Sequence, residues 1–340
     1  MEPAEALRRV AFLLERNRAE NYKVRAFRRA AAAVDEAGPD RLQALAASGR
    51  LKDLDGVGDT TARMIAEALA GAEPAYLGEL EAEPGLSEVS DNARRIRSWL
   101  RGDCHSHSDW SDGGSPILEM AMTAKDLGHE YIVLTDHSPR LTVAHGLDAE
   151  RLRRQLDVVA DVNDQLSPFR LLTGIEVDIL ENGALDQEEE LLAQLDLVVA
   201  SVHSKLRMES AAMTRRMVAA VESPHVDVLG HCTGRLIVGR GRPPSTFEPA
   251  AVFEACAATG TAVEINSRPE RRDPPPELLA KAVDAGCVVT IDTDAHAPGQ
   301  FEWLVLGCEQ AAEAGLTADR IMNTRHVADL LAWTASHAAS

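Results

Sequence analysis

Along the first 70 residues apolar positions recur at helical spacing in an Ala-, Leu- and Arg-rich stretch, which predicts several short helices and no strand. Past residue 100 the pattern changes. Short apolar runs of β type, EYIVLTD, RLLTGIEVDI, LDLVVASVH, VDVLGH, TAVEINS and CVVTIDTD, alternate with stretches of helical periodicity and predict a parallel sheet. With the segment GDCHSH they make seven strands, and an odd number of β/α units predicts a barrel rather than an open sheet. Helix punctuation fits. Ser115 reads as an N-cap before Pro116 with Gly128 at the far end, Ser245-x-x-Glu248 as a capping box with Gly260 behind it, and Pro274 to Pro276 as the entry to a helix closed by Gly286. Residues 71–100 are acidic, are broken by Gly71, Pro74, Pro84 and Gly85, and end on Arg94-Arg95-Ile96-Arg97, the pattern of a connecting segment. The expected organisation is an all-α domain over 1–70, a linker over 71–100 and a β/α barrel over 101–340.

Composition narrows the class. The 340 residues are 45% apolar and 26% charged, which excludes a collagen, a mucin or a disordered tail. No run approaches the roughly 20 apolar residues of a membrane span, and the start MEPAEALRRV lacks the basic patch and apolar run of a signal peptide, so a cytoplasmic protein without membrane contact is expected. Cys104, Cys232, Cys256, Cys287 and Cys308 are odd in number and have no C-x-x-C spacing, so they read as reduced, buried residues. The net charge of −19 taken alone argues against a polyanionic partner. Its distribution changes that reading: residues 1–100 carry 15 basic and 17 acidic side chains, and nearly all the excess lies beyond them. Carboxylates gathered there to hold cations would have their field inverted by the bound metal.

In the helical part, Leu54-Asp55-Gly56-Val57-Gly58-Asp59-Thr60-Thr61-Ala62 places two glycines in a tight turn ahead of a helix, the pattern of a helix-hairpin-helix. Backbone N–H groups of such a turn can hydrogen-bond a nucleic-acid phosphate without reading sequence. A Gly-rich turn joining two helices without any ligand is the competing reading. The basic run Arg16, Arg18, Lys23, Arg25, Arg28 and Arg29 favours DNA, with Lys23, Gly56 and Gly58 as its candidate contacts.

The histidines carry the chemistry. His105 and His107 end the first expected strand, His137 the second, His203 the fourth, His231 the fifth and His296 the seventh; Glu176 stands near the end of the third, and Asp294 joins His296. In a parallel β/α barrel these ends open on one face. Residues i and i+2 of a strand project to the same side, so His105-x-His107 and Asp294-x-His296 can each aim two side chains at one point, roughly 6 to 7 Å apart at the backbone. Cys104 and Ser106 then face away. His129, His225, His326 and His337 lie before strands or near the C-terminus and serve as internal controls. Imidazoles with carboxylates and no thiolate suit catalytic Zn, Mn or Fe better than Mg or Ca. The potential ligands are too many for one ion, so two to three divalent transition metals are expected.

The segment from Gly102 onward resembles the PHP (polymerase and histidinol phosphatase) family, and most of all its version fused to bacterial family X DNA polymerases. The resemblance runs through DCHSHS with SDG, TDHS, GIEVDIL, ASVHS, GHCTGR, EIN and DAH. It implies a distorted seven-stranded barrel with a trinuclear site of His105, His107, Asp112, His137, Glu176, His203, His231, Asp294 and His296, with Glu176 bridging. Cys232 stands where the family commonly has proline. The N-terminal helices resemble the lyase-type domain of the same polymerases through Asn21-Tyr22-Lys23-Val24-Arg25-Ala26-Phe27 and the turn around Gly56. No polymerase palm fits before the barrel, and Met64 stands at the position of the lyase lysine, so neither polymerisation nor β-elimination is expected.

Paired metals can activate a water to hydroxide while a third neutralises phosphate oxygens, so the expected reaction is in-line phosphoester hydrolysis without a protein nucleophile. His145 and Arg235 are candidate catalytic contacts to phosphate, with Arg268, Arg271 and Arg272 a further basic loop, and Asp136 a residue that orients ligands. Three readings follow: a DNA phosphoesterase that processes 3′ ends, a small-molecule phosphatase of the histidinol phosphate type, and a non-catalytic DNA-binding accessory protein.

Overall fold

The computed structural model describes residues 1–83, 85, 86 and 89–337; Pro84 of the expected linker and residues 338–340 of the expected barrel domain lie outside the described residues. The chain divides into two compact units, Met1–Glu88 and Val89–Ser340. Among the described residues no helix is long and apolar enough to cross a membrane.

Among its described residues the first unit holds helices and no strand: α1 (Pro3–Arg16), α2 (Asn21–Ala47, interrupted at Gly38), α3 (Asp59–Leu69) and α4 (Ala75–Ala82). Leu7, Val10, Leu13, Phe27 and Met64 are buried, the helical spacing read from the sequence. Arg28, counted in the basic run, pairs with the buried Glu15 at 2.7 Å and is part of the packing rather than a free cation.

The second unit opens with α5 (Asp91–Trp99) and then alternates strand and helix: β1 (Gly102–Ser106), α6 (Ile117–Asp126), β2 (Tyr131–Leu134), α7 (Ala149–Leu166), β3 (Arg170–Asp178), α8 (Glu189–Leu192), β4 (Leu197–Ser201), α9 (Ser210–Val221), β5 (Val228–Leu229), α10 (Pro249–Thr259), β6 (Ala262–Asn266), α11 (Pro276–Asp284), β7 (Val289–Asp292), α12 (Leu304–Glu313) and α13 (Val327–His337). The seven strands stand side by side in sequence order, each parallel to the next. Strand residues such as Val133, Leu172, Val199 and Ile291 are fully buried because helices cover the outside of the sheet while side chains fill the inside.

The ring closes between β1 and β7 with few ladder bonds. Ser106 bridges Ala295, and His107 N–H donates to the Ala295 carbonyl at 2.8 Å. Side chains supply the rest: Cys104 N–H donates to Asp292 Oδ1 at 2.8 Å, Thr293 N–H to Asp103 Oδ2 at 3.2 Å, and Asn323 Nδ2 to the carbonyls of Gly102 and Ile291 at 3.0 and 2.7 Å. A seam held by side chains is what makes this barrel nearly, rather than fully, closed.

Three local expectations are corrected. Residues 71–100 hold α4 and α5, because Leu77, Leu80, Ala93 and Ile96 recur at helical spacing and are buried while the acidic residues stay outside. Ser115 does not cap α6, which begins one residue later with Pro116 in the extended cap position. Ser245 makes no capping box either: its hydroxyl donates to the Leu206 carbonyl at 2.9 Å, and Glu248 is the N-cap of α10. Gly260 does end α10 in the left-handed conformation, at φ +82°.

His129, an internal control, lies between α6 and β2 and packs against Phe301. Burial, with Arg97 beside it, pushes its pKa down to about 3. Between that value and the ordinary 6.5 only the unfolded chain takes up the proton, so this group's stabilisation falls as pH drops below 6.5. Relative to His129→Gln, the wild type should lose about 2 kcal/mol between pH 7 and pH 5. Denaturant titrations at the two pH values test this; parallel stability curves would reject it.

Candidate metal centre

The strand ends deliver their side chains to one pocket. Glu176, near the end of β3 and 1% exposed, lies at its middle. Its Oε2 is 2.9 Å from His137 Nδ1, 3.4 Å from His105 Nε2 and 3.6 Å from His107 Nε2; its Oε1 is 2.8 Å from His231 Nε2 and 3.2 Å from His203 Nε2. A second carboxylate, Asp294, sits 3.3 Å from His107 Nε2 and 3.4 Å from His296 Nδ1. The third, Asp112, is 36% exposed at the mouth, 3.3 Å from His296 Nε2 and 3.5 Å from His137 Nε2. All nine residues expected as ligands therefore meet. None of the four control histidines joins them: His326 pairs with Glu130 and His337 with Asp227, the residues just before β2 and β5, while His129 packs against Phe301.

Three groups in this pocket have the spacing of an ion-binding site: His107, Asp112, His137 and His296; His105, His107 and Asp294; and His137, Glu176 and His203. Many of the atoms involved are buried without a hydrogen-bond partner, among them His105 Nε2, both nitrogens of His107 and of His203, His137 Nδ1 and Glu176 Oε2. Buried polar atoms left so are costly, and cations are what this donor set fits. His107 and His137 each stand in two groups, and a neutral imidazole gives one lone pair to one ion. Eight residues thus leave positions for water or substrate, the mark of a catalytic rather than a structural site.

The electrostatics are those of a crowded anion and cation lattice. Burial works to raise the Glu176 carboxyl, but the imidazoles of His203, His105 and His137 outweigh it and hold it well below its ordinary range. Burial opposes the His137 imidazolium, and Glu176 with Asp112 overcomes it, lifting that group to about 10. Burial, reinforced by His296 and His137, pushes His107 down to about 3. Bound ions would take the place of these protons.

Several residues outside the expected ligand set hold it in place. Glu264 Oε1 lies 2.6 Å from His105 Nδ1, which fixes the proton on Nδ1 and turns the Nε2 lone pair toward Glu176; its other oxygen accepts the His231 N–H. Asn266 Nδ2 donates to Glu264 and Asp294 at 3.3 and 3.2 Å. Asp178 accepts the His203 N–H at 3.1 Å. Arg216 of α9, 1% exposed, donates to the carbonyls of Ile179 and Ser204, so one guanidinium ties the end of β3 to the loop carrying His203. The signal for Glu264, Asn266 and Asp178 was the same i, i+2 strand rule that found His105-x-His107.

Asp136 accepts from Ser108 N and Oγ, Ser111 Oγ and Gln155 Nε2 at 2.5 to 2.8 Å, and so orders the loop that presents Asp112. The two phosphate candidates stand apart from the cluster. His145 is exposed at φ +54°, and among the described residues its ring makes no hydrogen bond or ion pair. Arg235 spends Nε and Nη2 on the carbonyls of Arg271 and Arg272 and so braces a loop. Two arginines of that loop do reach the centre: Arg268 Nη1 is 3.1 Å from the Asp294 carbonyl, and Arg271 Nε is 3.2 Å from Asp294 Oδ2. Arg272 makes no side-chain hydrogen bond or ion pair among the described residues. Cys232 is buried beside Asp273, which shapes the turn by accepting from Thr233, and no ligand is displaced.

In the first unit, Gly56 is at φ +76°, and a Cβ there would lie 3.1 Å from Arg29 Cβ, so glycine is required by both backbone and space. The Gly58 N–H donates to Thr61 Oγ1 at 2.9 Å and is committed within the turn. Lys23 is exposed in the first turn of α2, and Met64 is buried in α3.

Comparison with known proteins agrees with this geometry. Residues 103–267 match the PHP domain family model, and residues 1–73 match that of a helix-hairpin-helix domain. The barrel belongs to the PHP family. Relatives of this chain include the DNA polymerase/3′-5′ exonuclease PolX of Bacillus subtilis (strain 168), 38% identical over 69% of this chain and 41% of that protein. The chain thus spans about two fifths of that relative. A probable phosphatase of Thermoanaerobacter sp. (strain X514) is 28% identical over 65% of this chain and 89% of that protein. A solved histidinol phosphate phosphatase from Lactococcus lactis, complexed with zinc, L-histidinol and phosphate, aligns at TM-score 0.44 and 17% identity over 64% of this chain and 95% of that one, too loosely to carry its ligands across.

Replacing Glu264 by Gln keeps its shape but removes the charge that holds the His105 proton. Affinity for divalent ions, measured by competition with a chelator, should fall about 10- to 100-fold while the circular dichroism spectrum stays unchanged. Wild-type affinity in Glu264→Gln would show that the carboxylate orients nothing.

Proposed function

We propose that this chain is a metal-dependent phosphoesterase that processes the 3′ ends of DNA, with the helix-hairpin-helix unit holding the nucleic-acid backbone. The observation that carries the reading is Glu176: a buried carboxylate within 3.6 Å of five imidazoles, in a pocket that opens at Asp112. The donor set favours Zn, Mn or Fe. Its nine residues, His105, His107, Asp112, His137, Glu176, His203, His231, Asp294 and His296, would hold two or three such ions. When bound, those ions would supply charge neutralisation for the phosphate oxygens and a water acidic enough to attack near neutral pH.

The protein's own groups prepare that chemistry. Glu264 and Asp178 hold His105 and His203 in position, Asp136 presents Asp112, and Arg268 and Arg271 put positive charge on the flank of Asp294. Among the described residues the buried thiols are no nucleophiles. Burial pushes the thiols of Cys104 and Cys232 well above their ordinary value, which keeps them protonated and inert.

DNA is favoured as substrate because a helix-hairpin-helix unit precedes the barrel, and because the Bacillus subtilis relative of that barrel is named for 3′-5′ exonuclease activity. The second reading, a phosphatase of small esters such as histidinol phosphate, draws on the relatives named as probable phosphatases. A non-catalytic role fits poorly with nine ligand positions all filled.

Metal-loaded protein incubated with a 3′-labelled oligonucleotide, and separately with histidinol phosphate and p-nitrophenyl phosphate, decides between them. Laddering of the DNA supports the first reading; phosphate released from small esters alone supports the second. Glu176→Gln should lower turnover of every substrate more than about 100-fold, beyond the usual effect of an outer-shell change. Removing residues 1–88, which leaves α5 on the barrel, should lower DNA turnover about tenfold through lost effective concentration and spare small esters. Equal loss on both substrate types would reject the tethering role.

A further inference from the structure

The loop that leaves the centre after His231 has properties that ester hydrolysis does not use. From Gly234 to Pro244 it holds three arginines and no acidic residue, in a region of the chain with a large acidic excess. It closes into a small hairpin. Leu236 and Arg242 exchange backbone hydrogen bonds at 2.9 and 2.8 Å, and Gly239 and Gly241, at φ +67° and +65°, supply the left-handed turn.

The base of this hairpin is braced. Arg242 Nε donates to the Gly234 carbonyl at 2.6 Å, the Ile237 N–H to the Glu270 carbonyl at 2.8 Å, and Arg235 to the carbonyls of Arg271 and Arg272. The loop that receives these bonds is the one whose Arg268 and Arg271 touch Asp294. On that base Ile237 is 52% and Val238 42% exposed. Arg240 beside them is exposed and makes no hydrogen bond or ion pair among the described residues.

A single exposed aliphatic residue needs no explanation. Two on a braced tip, next to an uncommitted guanidinium and linked through one loop to the metal centre, call for a ligand with anionic groups and apolar faces in alternation. A nucleic-acid strand has that chemistry: phosphates for the cation, and base and sugar faces for the aliphatic side chains. Two aliphatic residues are too small a patch for a stable protein interface.

We propose that the hairpin Leu236–Arg242 is a rim that guides a single nucleic-acid strand into the metal centre, with Arg240 on a backbone phosphate and Ile237 and Val238 against a base or sugar. This rests on the reading of DNA as the substrate and adds a strand-binding surface on the barrel itself.

The test uses the full, metal-loaded chain and three readouts: binding of a fluorescein-labelled single-stranded oligonucleotide with phosphorothioate linkages, cleavage of its unmodified counterpart, and turnover of p-nitrophenyl phosphate. The double variant Ile237→Ser/Val238→Ser should bind the strand about fivefold more weakly, in keeping with loss of a contact to a base face. Arg240→Ala should lower the slope of log affinity against log salt by about 0.7, the value for one phosphate of a single strand. Both should turn over p-nitrophenyl phosphate like the wild type. Unchanged strand affinity and salt slope would overturn the proposal, as would a wild type that does not bind the strand. Parallel loss of p-nitrophenyl phosphate turnover would also overturn it, since the hairpin would then be supporting the centre. A wild type that binds through the hairpin but leaves the unmodified strand whole would instead sink the DNA-cleaving reading and keep the rim.

Discussion

The structure depends on one arrangement, a carboxylate buried among imidazoles. Glu176 alone at that depth would carry a desolvation penalty of several kcal/mol, and imidazoles crowded to ring distances of 4.2 to 5.2 Å would repel once protonated. Together they offset each other only in part, as the opposite shifts of His137 and His107 show. A pocket poised in this way lowers its free energy by accepting cations, so the geometry that is awkward for the bare chain is what makes it a metal centre.

The fold makes that arrangement possible because parallel strands in sequential order put their carboxyl ends on one face. Seven chain segments separated by up to about 190 residues can then each contribute one or two groups to a single pocket. The weak seam between β1 and β7 belongs to the same design. Asp103 and Asp292, which stitch it, lie two residues from His105 and Asp294, so closing the barrel and aiming the ligands are done by neighbouring side chains on the same strands.

Much of this was legible in the sequence. Strand alternation made His105-x-His107 and Asp294-x-His296 visible as chelating pairs, and the six apolar runs together with GDCHSH became the seven strands. What escaped was whatever depends on a partner distant in sequence. Glu264 is an apolar-strand carboxylate until His105, 159 positions earlier, is seen against it. The bracing of the neighbouring loop by Arg235 likewise shows only once the carbonyls of Arg271 and Arg272, more than 30 positions later, are seen against it. Ser115 and Ser245 have the right residue type for caps, but tertiary bonds and a shifted helix start took precedence. The acidic composition of 71–100 masked two amphipathic helices because charge on the exposed face says nothing of the buried one.

The charge of the molecule has a consistent reading at this level. A chain with a net charge of −19 is a poor nucleic-acid binder on average. Its basic residues are not spread to correct that average: some cations are absorbed structurally, as Arg28 is by Glu15 and Arg216 by backbone carbonyls, and others gather beside the centre at Arg268 and Arg271. Screening over about 8 Å at physiological salt makes the distant carboxylates count for little at that face. What an arriving phosphate meets is therefore set by the few groups within that radius. There the arginines, and ions bound by the imidazole cluster, outweigh the acidic body of the protein.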